Sequence, residues 1–308
     1  MPSRRVLVLL KGYLGDAVMA TPLLHALAKQ DGLQVTVLTE PAVADLLQPT
    51  FPSITFRASR SKKNVFRQAR EMRSCKFDTA LVVNRSFRAA IVAALARVPK
   101  RIGHAYEGRQ VLLTQQLRYD EDQFEAESYL DLAREAGFAL QSVQPYLTPQ
   151  PDLIDATKAK IADATVAIQP GARHIDKQIP ISVMAEVVRH IQKTHKVAML
   201  GGSEERPQGQ ELAALLDEKP TDLIGQFSLQ ETVAAVSQFD LVIGSDTGLM
   251  HIVAATGTAT ITAFGPTRPT KWAHNYAPHQ AVPAPGKKMA ALHAEQLLEV
   301  VERVLGRK

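Results

Sequence analysis

Apolar and polar positions alternate along this chain in two different rhythms. Short Val-, Ile- and Leu-rich runs of four to six residues are each followed by a longer amphipathic stretch of helical period. That alternation is the signature of a parallel sheet with crossover helices. The pattern predicts strands over residues 6–10, 35–39 and 79–84, with helices over 17–29, 86–96 and 124–136, the last stopped by Gly137. It then restarts. Strands are predicted over 166–169, 197–200, 222–225, 241–244 and 259–264, and helices over 182–193, 208–216, 229–238, 247–256 and 290–305. Between the two series lies Gln144-Pro-Tyr-Leu-Thr-Pro-Gln-Pro151, three prolines in eight residues, which reads as a linker. The expected fold is therefore α/β, with two Rossmann-like domains, 1–150 and 151–308, facing across a cleft; the terminal helix is left either to stay with its own domain or to return to the first.

Composition narrows the class. With 308 residues, 45% hydrophobic and 22% charged, the chain is globular and long enough for two cores. One cysteine, Cys75, excludes an internal disulfide and fits a reducing compartment. The apolar run at 6–10 is cut by Lys11 and Gly12, too short for a secretory signal or a membrane span, so a cytoplasmic protein is expected. The net charge of +5 is unevenly spread: residues 1–150 carry 20 basic and 14 acidic side chains. Eight cations fall within residues 57–76 against Glu71 alone, so this half is expected to meet an anionic partner. Aromatic side chains are sparse there, which argues against single-stranded nucleic acid.

In such sheets ligands sit beyond the carboxyl ends of the strands, and five loops there carry chemistry. In Lys11-Gly-Tyr-Leu-Gly-Asp16, Asp16 falls at a helix start, either a catalytic carboxylate or a residue favoured there by the helix dipole. In Gly244-Ser-Asp-Thr-Gly-Leu-Met-His251, a strand runs straight into a helix, and the amides of residues 246–249 are expected to form an anion cradle or to be simply capped. The loop from Gln169 through Gly171 and Arg173 to Lys177 brings two cations to the same edge. Gly201-Gly-Ser-Glu-Glu205 offers a carboxylate for ribose hydroxyls or a charge for the next helix. Phe264-Gly-Pro-Thr-Arg268 is a rigid turn with a hydroxyl at its centre. Asp120-Glu-Asp122 has the spacing of a cation-binding pair but precedes a helix, and His190 and His195 do not share a helix face, so no metal site is expected.

Taken together, and in their order along the chain, the five strand-end loops resemble glycosyltransferase family 9, the ADP-heptose:lipopolysaccharide heptosyltransferases. The segments 84–88 and 101–109 add to the likeness, which spans residues 4–305. The resemblance implies a two-domain GT-B fold and metal-independent, inverting transfer from ADP-heptose with no further cofactor. By position, Asp16 would be the general base. Gly171, Arg173, Lys177, Glu205, Asp246, Thr247, Gly248 and His251 would bind the donor: Lys177 and the amides at Thr247 and Gly248 on the diphosphate, Glu205 on the ribose. Lys11, Asn84, Arg85, Arg88 and Arg109 would meet an anionic lipopolysaccharide-type acceptor, with peripheral contact to the inner membrane and no nucleic acid partner. Arg268 stands where an acidic residue is expected after Gly-Pro-Thr. Two other readings are a GT-B-type nucleotide-sugar epimerase, which needs no acceptor, and a non-catalytic sugar-nucleotide or nucleic-acid binding protein.

Overall fold

The computed structural model describes residues 4–10, 12–59, 64–106, 108–140 and 144–306. It divides into two compact units, Met1–Pro145 and Tyr146–Lys308.

Unit 1 runs β1 (Arg4–Leu9), α1 (Leu14–Met19), α2 (Thr21–Ala28), β2 (Leu33–Thr39), α3 (Pro41–Leu47), β3 (Thr55–Ala58), α4 (Val65–Ser74), β4 (Thr79–Val82), α5 (Phe87–Leu95), β5 (Lys100–His104), β6 (Gln115–Leu117) and α6 (Glu125–Ala136). Its six strands form one parallel sheet in the order β3-β2-β1-β4-β5-β6. Unit 2 runs α7 (Pro151–Ile161), β7 (Val166–Ile168), α8 (Ile181–Ile191), β8 (Val197–Met199), α9 (Arg206–Ala214), β9 (Thr221–Asp222), α10 (Leu229–Val236), β10 (Leu241–Ser245), α11 (Gly248–Ala255), β11 (Ala259–Phe264), α12 (Pro269–Trp272), β12 (His279–Pro283) and α13 (Ala294–Leu305). Its sheet, also parallel throughout, has the order β12-β11-β10-β7-β8-β9. Each unit thus winds outward from its first strand in one direction and then, from its fourth, in the other. The switch lies between β1 and β4 in unit 1, and between β7 and β10 in unit 2, where loops diverge and leave room for a ligand.

Central strands are covered on both faces, so they read as continuous apolar runs: β7, β8 and β10 are buried at every position. Edge strands are short and polar. β3 (TFRA), β6 (QQL) and β9 (TD) carry little that is buried, which discourages pairing with another chain. This is why β3 and β6 are absent from the predicted elements; β5 (KRIGH), an inner strand, is absent because it opens on two cations and has a single large apolar residue. β12 and the helices α3, α4, α7 and α12 were likewise not anticipated. The stretch predicted as one helix over 17–29 is two, α1 and α2, joined at Ala20 just before Thr21-Pro22; Pro22 lacks the N–H that would continue the ladder. Part of the predicted linker is helical: Pro151 is the first residue of α7, where a fixed φ and a missing donor cost nothing. Gly137 ends α6 as expected, at φ 83°.

The core of unit 1 gathers Leu7, Leu9, Met72, Val82, Val92 and their neighbours. That of unit 2 gathers Val166, Ile168, Met184, Val187, Ile243 and Ile261 with Leu297 and Val301 of α13. The terminal helix therefore packs within its own unit, against α8, β11 and β12. Leu297 is fully buried there. Leu297→Ala is expected to lower the stability of unit 2 by about 2–5 kcal/mol, from lost transfer energy and the cavity left behind. Urea unfolding followed through this unit's transition would measure it, and a loss below about 1 kcal/mol would show that α13 is not part of the core.

Candidate functional site

In unit 2 the loops after β7, β8 and β10 are tied together by Gln169, at the carboxyl end of β7. Its Oε1 accepts from Thr247 Oγ1 at 2.7 Å, and its Nε2 donates to Glu205 Oε1, also at 2.7 Å. Thr247 in turn caps α11, accepting from the Met250 amide at 3.4 Å. Gly201 leaves room for the Glu205 carboxylate: a Cβ there would fall 2.0 Å from Oε2. Glu205 is buried, and Oε2 has no hydrogen-bond partner among the described residues. Burial pushes its carboxyl up to about 7, with a push from Glu204, against the opposing bonds from Gln169 and the Gly202 amide.

A second network begins one residue before the cap. Lys177 Nζ donates to the carbonyl of Asp246 at 3.2 Å and to its Oδ2 at 3.0 Å. The other carboxylate oxygen, Oδ1, lies 3.3 Å from His251 Nε2. Burial works against the charge on Asp246, yet His251 and Lys177 together hold its carboxyl well below the usual range. An ionised carboxylate only accepts, so His251 Nε2 donates to it. His251 Nδ1 shares a proton with His274 Nε2 at 3.1 Å, and His274 Nδ1 with the Tyr276 hydroxyl at 2.7 Å. Burial keeps His274 neutral, helped by the neighbouring His251 and His279.

The anion cradle is narrower than the sequence suggested. The Asp246 amide is spent in the sheet, donating to the Ala263 carbonyl at 3.0 Å, and the Met250 amide is capped. Gly248 and Leu249 open the helix and have no carbonyl a turn earlier to receive their N–H groups. Lys177 reaches this same helix end, so a cation, helix amides and the positive end of the α11 dipole converge. Gly171 is buried beside Glu205, and Arg173 is exposed.

In unit 1, Asp16 lies in the first turn of α1 and is buried. Its Oδ1 accepts from the Tyr129 hydroxyl at 2.7 Å. Arg85, in the loop after β4, lies over the rings of Tyr119 and Tyr106, with Nη2 3.8 Å from Glu125 Oε1. Burial opposes its charge, but Glu125 and the neighbouring acidic groups hold the guanidinium protonated. Burial, then the Arg109 charge, pull His104 down to about 4, so it is neutral near pH 7. Asn84 Oδ1 accepts from the Ser86 amide at 3.0 Å and shapes this loop, while Arg88 donates to Gln68 Oε1 at 3.3 Å.

Arg109 is a correction. It is 0% exposed, and its guanidinium donates to the carbonyls of His104 and Asn84, bracing the loops after β4 and β5 from beneath instead of presenting its charge to an acceptor. Lys11 lies outside the described residues, as do Arg60, Lys62 and Lys63 of the basic stretch. Its remaining cations Arg57, Arg67, Arg70, Arg73 and Lys76 are exposed, and Phe66 stands among them 77% exposed. The Asp120 carboxylate accepts from the Asp122 amide, a local turn. Among the described residues no group of three His, Cys, Asp or Glu side chains is placed to hold a metal ion. Gln169, His274, Tyr129, Tyr119 and Glu125 were not singled out as site residues from the sequence. Only Gln169 carried a local signal, its place at a strand end beside the Pro-Gly turn.

The Glu205 carboxyl yields a test. Its folded-state pKa lies above that of an ordinary glutamate, so its ionisation disfavours the fold, and stability attributable to it falls as pH rises from about 4.5 to about 7. Glu205→Gln is therefore expected to raise the melting temperature relative to the parent at pH 8 and to leave it nearly unchanged at pH 5. Scanning calorimetry at both pH values checks this; equal effects at the two would refute the burial of an ionisable Glu205.

With this geometry in hand, comparison with known proteins is informative. The family model for glycosyltransferase family 9 (heptosyltransferase) matches residues 65–301. Lipopolysaccharide heptosyltransferase 2 of Salmonella typhimurium is 24% identical over 291 residues, covering 86% of this chain and 84% of that one. Among solved structures, the glycosyl transferase family 9 protein from Veillonella parvula superposes with a TM-score of 0.90 at 18% identity, over 100% of this chain and 99% of that chain. The ADP-heptose lps heptosyltransferase II of E. coli does so with a TM-score of 0.84 at 21% identity, over 98% and 99%. These structural likenesses carry the fold, two Rossmann-like α/β units of the GT-B type. Since the family model spans most of its length, the chain belongs to glycosyltransferase family 9, and it is a glycosyltransferase.

Proposed function

We propose that this glycosyltransferase moves heptose from ADP-heptose to the inner core of lipopolysaccharide in an inverting, metal-independent single displacement, with no cofactor beyond the nucleotide sugar. The observation that carries this reading is the convergence of Lys177, the opening amides of α11 and the Asp246–His251 pair at one helix end. That cluster is suited to a diphosphate, whose charge rises as the sugar leaves; a fixed cation and helix amides stabilise that charge without reorganising. Asp246 keeps Lys177 at this place. Glu205, with Gln169 holding one of its oxygens, offers the other to the ribose hydroxyls. The names of the relatives support heptose, ADP and lipopolysaccharide as the chemistry served.

Asp16 is the general base in this reading. The acceptor hydroxyl gives its proton to the Asp16 carboxylate while its oxygen bonds to the anomeric carbon, and the bond from that carbon to the diphosphate oxygen breaks, releasing ADP. Inversion requires base and leaving group to act on opposite sides of that carbon. Arg85, Arg88 and the Asn84 loop serve an acceptor rich in phosphate and acidic sugars. The exposed cations of α4 and its flanks, with Phe66 beside them, serve its docking at the cytoplasmic face of a membrane. No helix among the described residues is long and apolar enough to cross one.

Asp16→Asn is expected to lower kcat by about a thousandfold, within the usual range for loss of a positioned base, and to leave the Kd for ADP within about twofold. A transfer assay with calorimetry on the same samples checks both, and turnover within tenfold of the parent would remove Asp16 as the base. Lys177→Ala is expected to weaken ADP binding by about 10- to 100-fold, the worth of a charge-assisted bond. Titration with ADP and with UDP, with and without a divalent cation, tests the donor: preference for ADP without metal is expected, and preference for UDP would overturn ADP-heptose. Reversing Arg67, Arg70 and Arg73 should raise the acceptor KM several-fold without changing the ADP Kd; a collapse of donor affinity would refute the docking role.

A further inference from the structure

The Asp16 carboxylate is held from far away in sequence. Tyr129, on α6 and 113 positions later, donates its hydroxyl to Oδ1 at 2.7 Å. One turn earlier on the same helix stands Glu125, so the two side chains share a face and meet. Glu125 is 0% exposed and Tyr129 1%. Glu125 is also close enough to the Tyr129 hydroxyl to act on it, pushing its phenol up together with Asp16. Glu125 is fixed in turn: Oε2 accepts from the Tyr119 hydroxyl at 2.8 Å, and Oε1 faces the Arg85 guanidinium at 3.8 Å. Arg85 is itself stacked on Tyr119, its centre 4.3 Å from the ring centroid.

A core does not need this arrangement. Phe at 129 would fill the same volume without a hydroxyl to satisfy, and an apolar residue at 125 would avoid burying a charge, which is costly unless well paired. Burial and the two neighbouring carboxylates push the Tyr129 phenol far up, so it stays a donor throughout the working pH range. The charged and titratable groups around Tyr129 are Asp16 of α1, Glu125 of α6, and Arg85 and Tyr119 of the loops after β4 and β6; His104 of β5, kept neutral, faces Glu125 and Arg85 and stacks on Tyr119.

We propose that Tyr129 is the positioning residue for the base: its hydroxyl, on a buried helix face whose Glu125 is pinned by Arg85 and Tyr119, fixes the direction in which the Asp16 carboxylate faces the acceptor hydroxyl. The inference rests on Asp16 as the base. Losing the bond removes one of the restraints on the carboxylate, and misplacement on the ångström scale costs about a hundredfold in rate.

Tyr129→Phe is the test, since it removes one oxygen and keeps the ring. Expected are a kcat lowered by about 10- to 100-fold, KM and ADP Kd within about twofold, and an acidic limb of the kcat profile moved to higher pH. The shift follows because a carboxylate that loses a donated hydrogen bond is protonated more easily. Glu125→Gln removes a neighbouring negative charge, so its limb moves to lower pH; opposite shifts in the two variants separate positioning from a general loosening of the fold. The double variant Asp16→Asn/Tyr129→Phe should be no slower than Asp16→Asn alone, because Tyr129 acts only through Asp16. If Asp16→Asn is inactive but Tyr129→Phe keeps the parent kcat and pH profile, the positioning role is wrong and the base stands. If Tyr129→Phe fails to fold, the Glu125→Gln limb decides, and an unmoved limb overturns the proposal. If Asp16→Asn turns over normally, the base assignment itself has failed.

Discussion

A parallel sheet wound by right-handed crossovers delivers every strand-to-helix loop to one edge, and that constraint governs the rest of this molecule. Each unit repeats it with the same strand order, and in each the winding direction reverses at the fourth strand. At the reversal two adjacent loops leave in opposite directions. In unit 1 these are the loops after β1 and β4, which lead to Asp16 in the first turn of α1 and, through Asn84 and Arg85, to Arg88 in the first turn of α5. In unit 2 they are the loops after β7 and β10, which carry Gln169 through Lys177 and Ser245 through Thr247.

Concentrating polar groups at a half-buried edge raises the question of how their charges are tolerated, and the two carboxylates of unit 2 answer it in opposite ways. Asp246 and Glu205 are both buried. Asp246 has an ammonium and an imidazole on its two oxygens, and their attraction exceeds the burial penalty, so it stays ionised. Glu205 has a neutral amide from Gln169 and a like charge from Glu204, so burial prevails and its carboxyl moves toward neutrality. The same residue class, on loops whose strands have β7 between them, thus provides a fixed anion that holds Lys177 and a carboxyl poised near neutrality.

Much of this was legible in the sequence, and what was not has a common cause. Central strands such as 166–168 and 241–245 announce themselves because burial on both faces makes them apolar throughout. Edge strands such as Gln115–Leu117 are solvated on several sides and look like loop. The loops carrying Asp16, Lys177 and Asp246 stood out because glycine, acid and cation fall together within a few residues. Arg85 and Arg109, by contrast, look alike in sequence. One is 20% exposed on its side chain, stacked on aromatic rings, and the other is wholly enclosed beneath backbone carbonyls. Nothing local distinguishes them, because the difference is made by which loop lies above.

Tyr129 and Glu125 are the sharper case. In the pattern of α6 they read as a core aromatic and a favourable first-turn acid, both ordinary for a helix, and the acid at that place needs no further reason than the dipole. Their use emerges only when α6 packs beside α1 and sets the Tyr129 hydroxyl on a carboxylate from the first loop of the chain. Strand-end loops can reveal reacting groups because those groups and the glycines that expose them are neighbours in sequence. The group that hydrogen-bonds the Asp16 carboxylate sits on a covering helix, at a position the same periodicity assigns to the core, so the setting of this carboxylate is a tertiary property even where its identity is a local one.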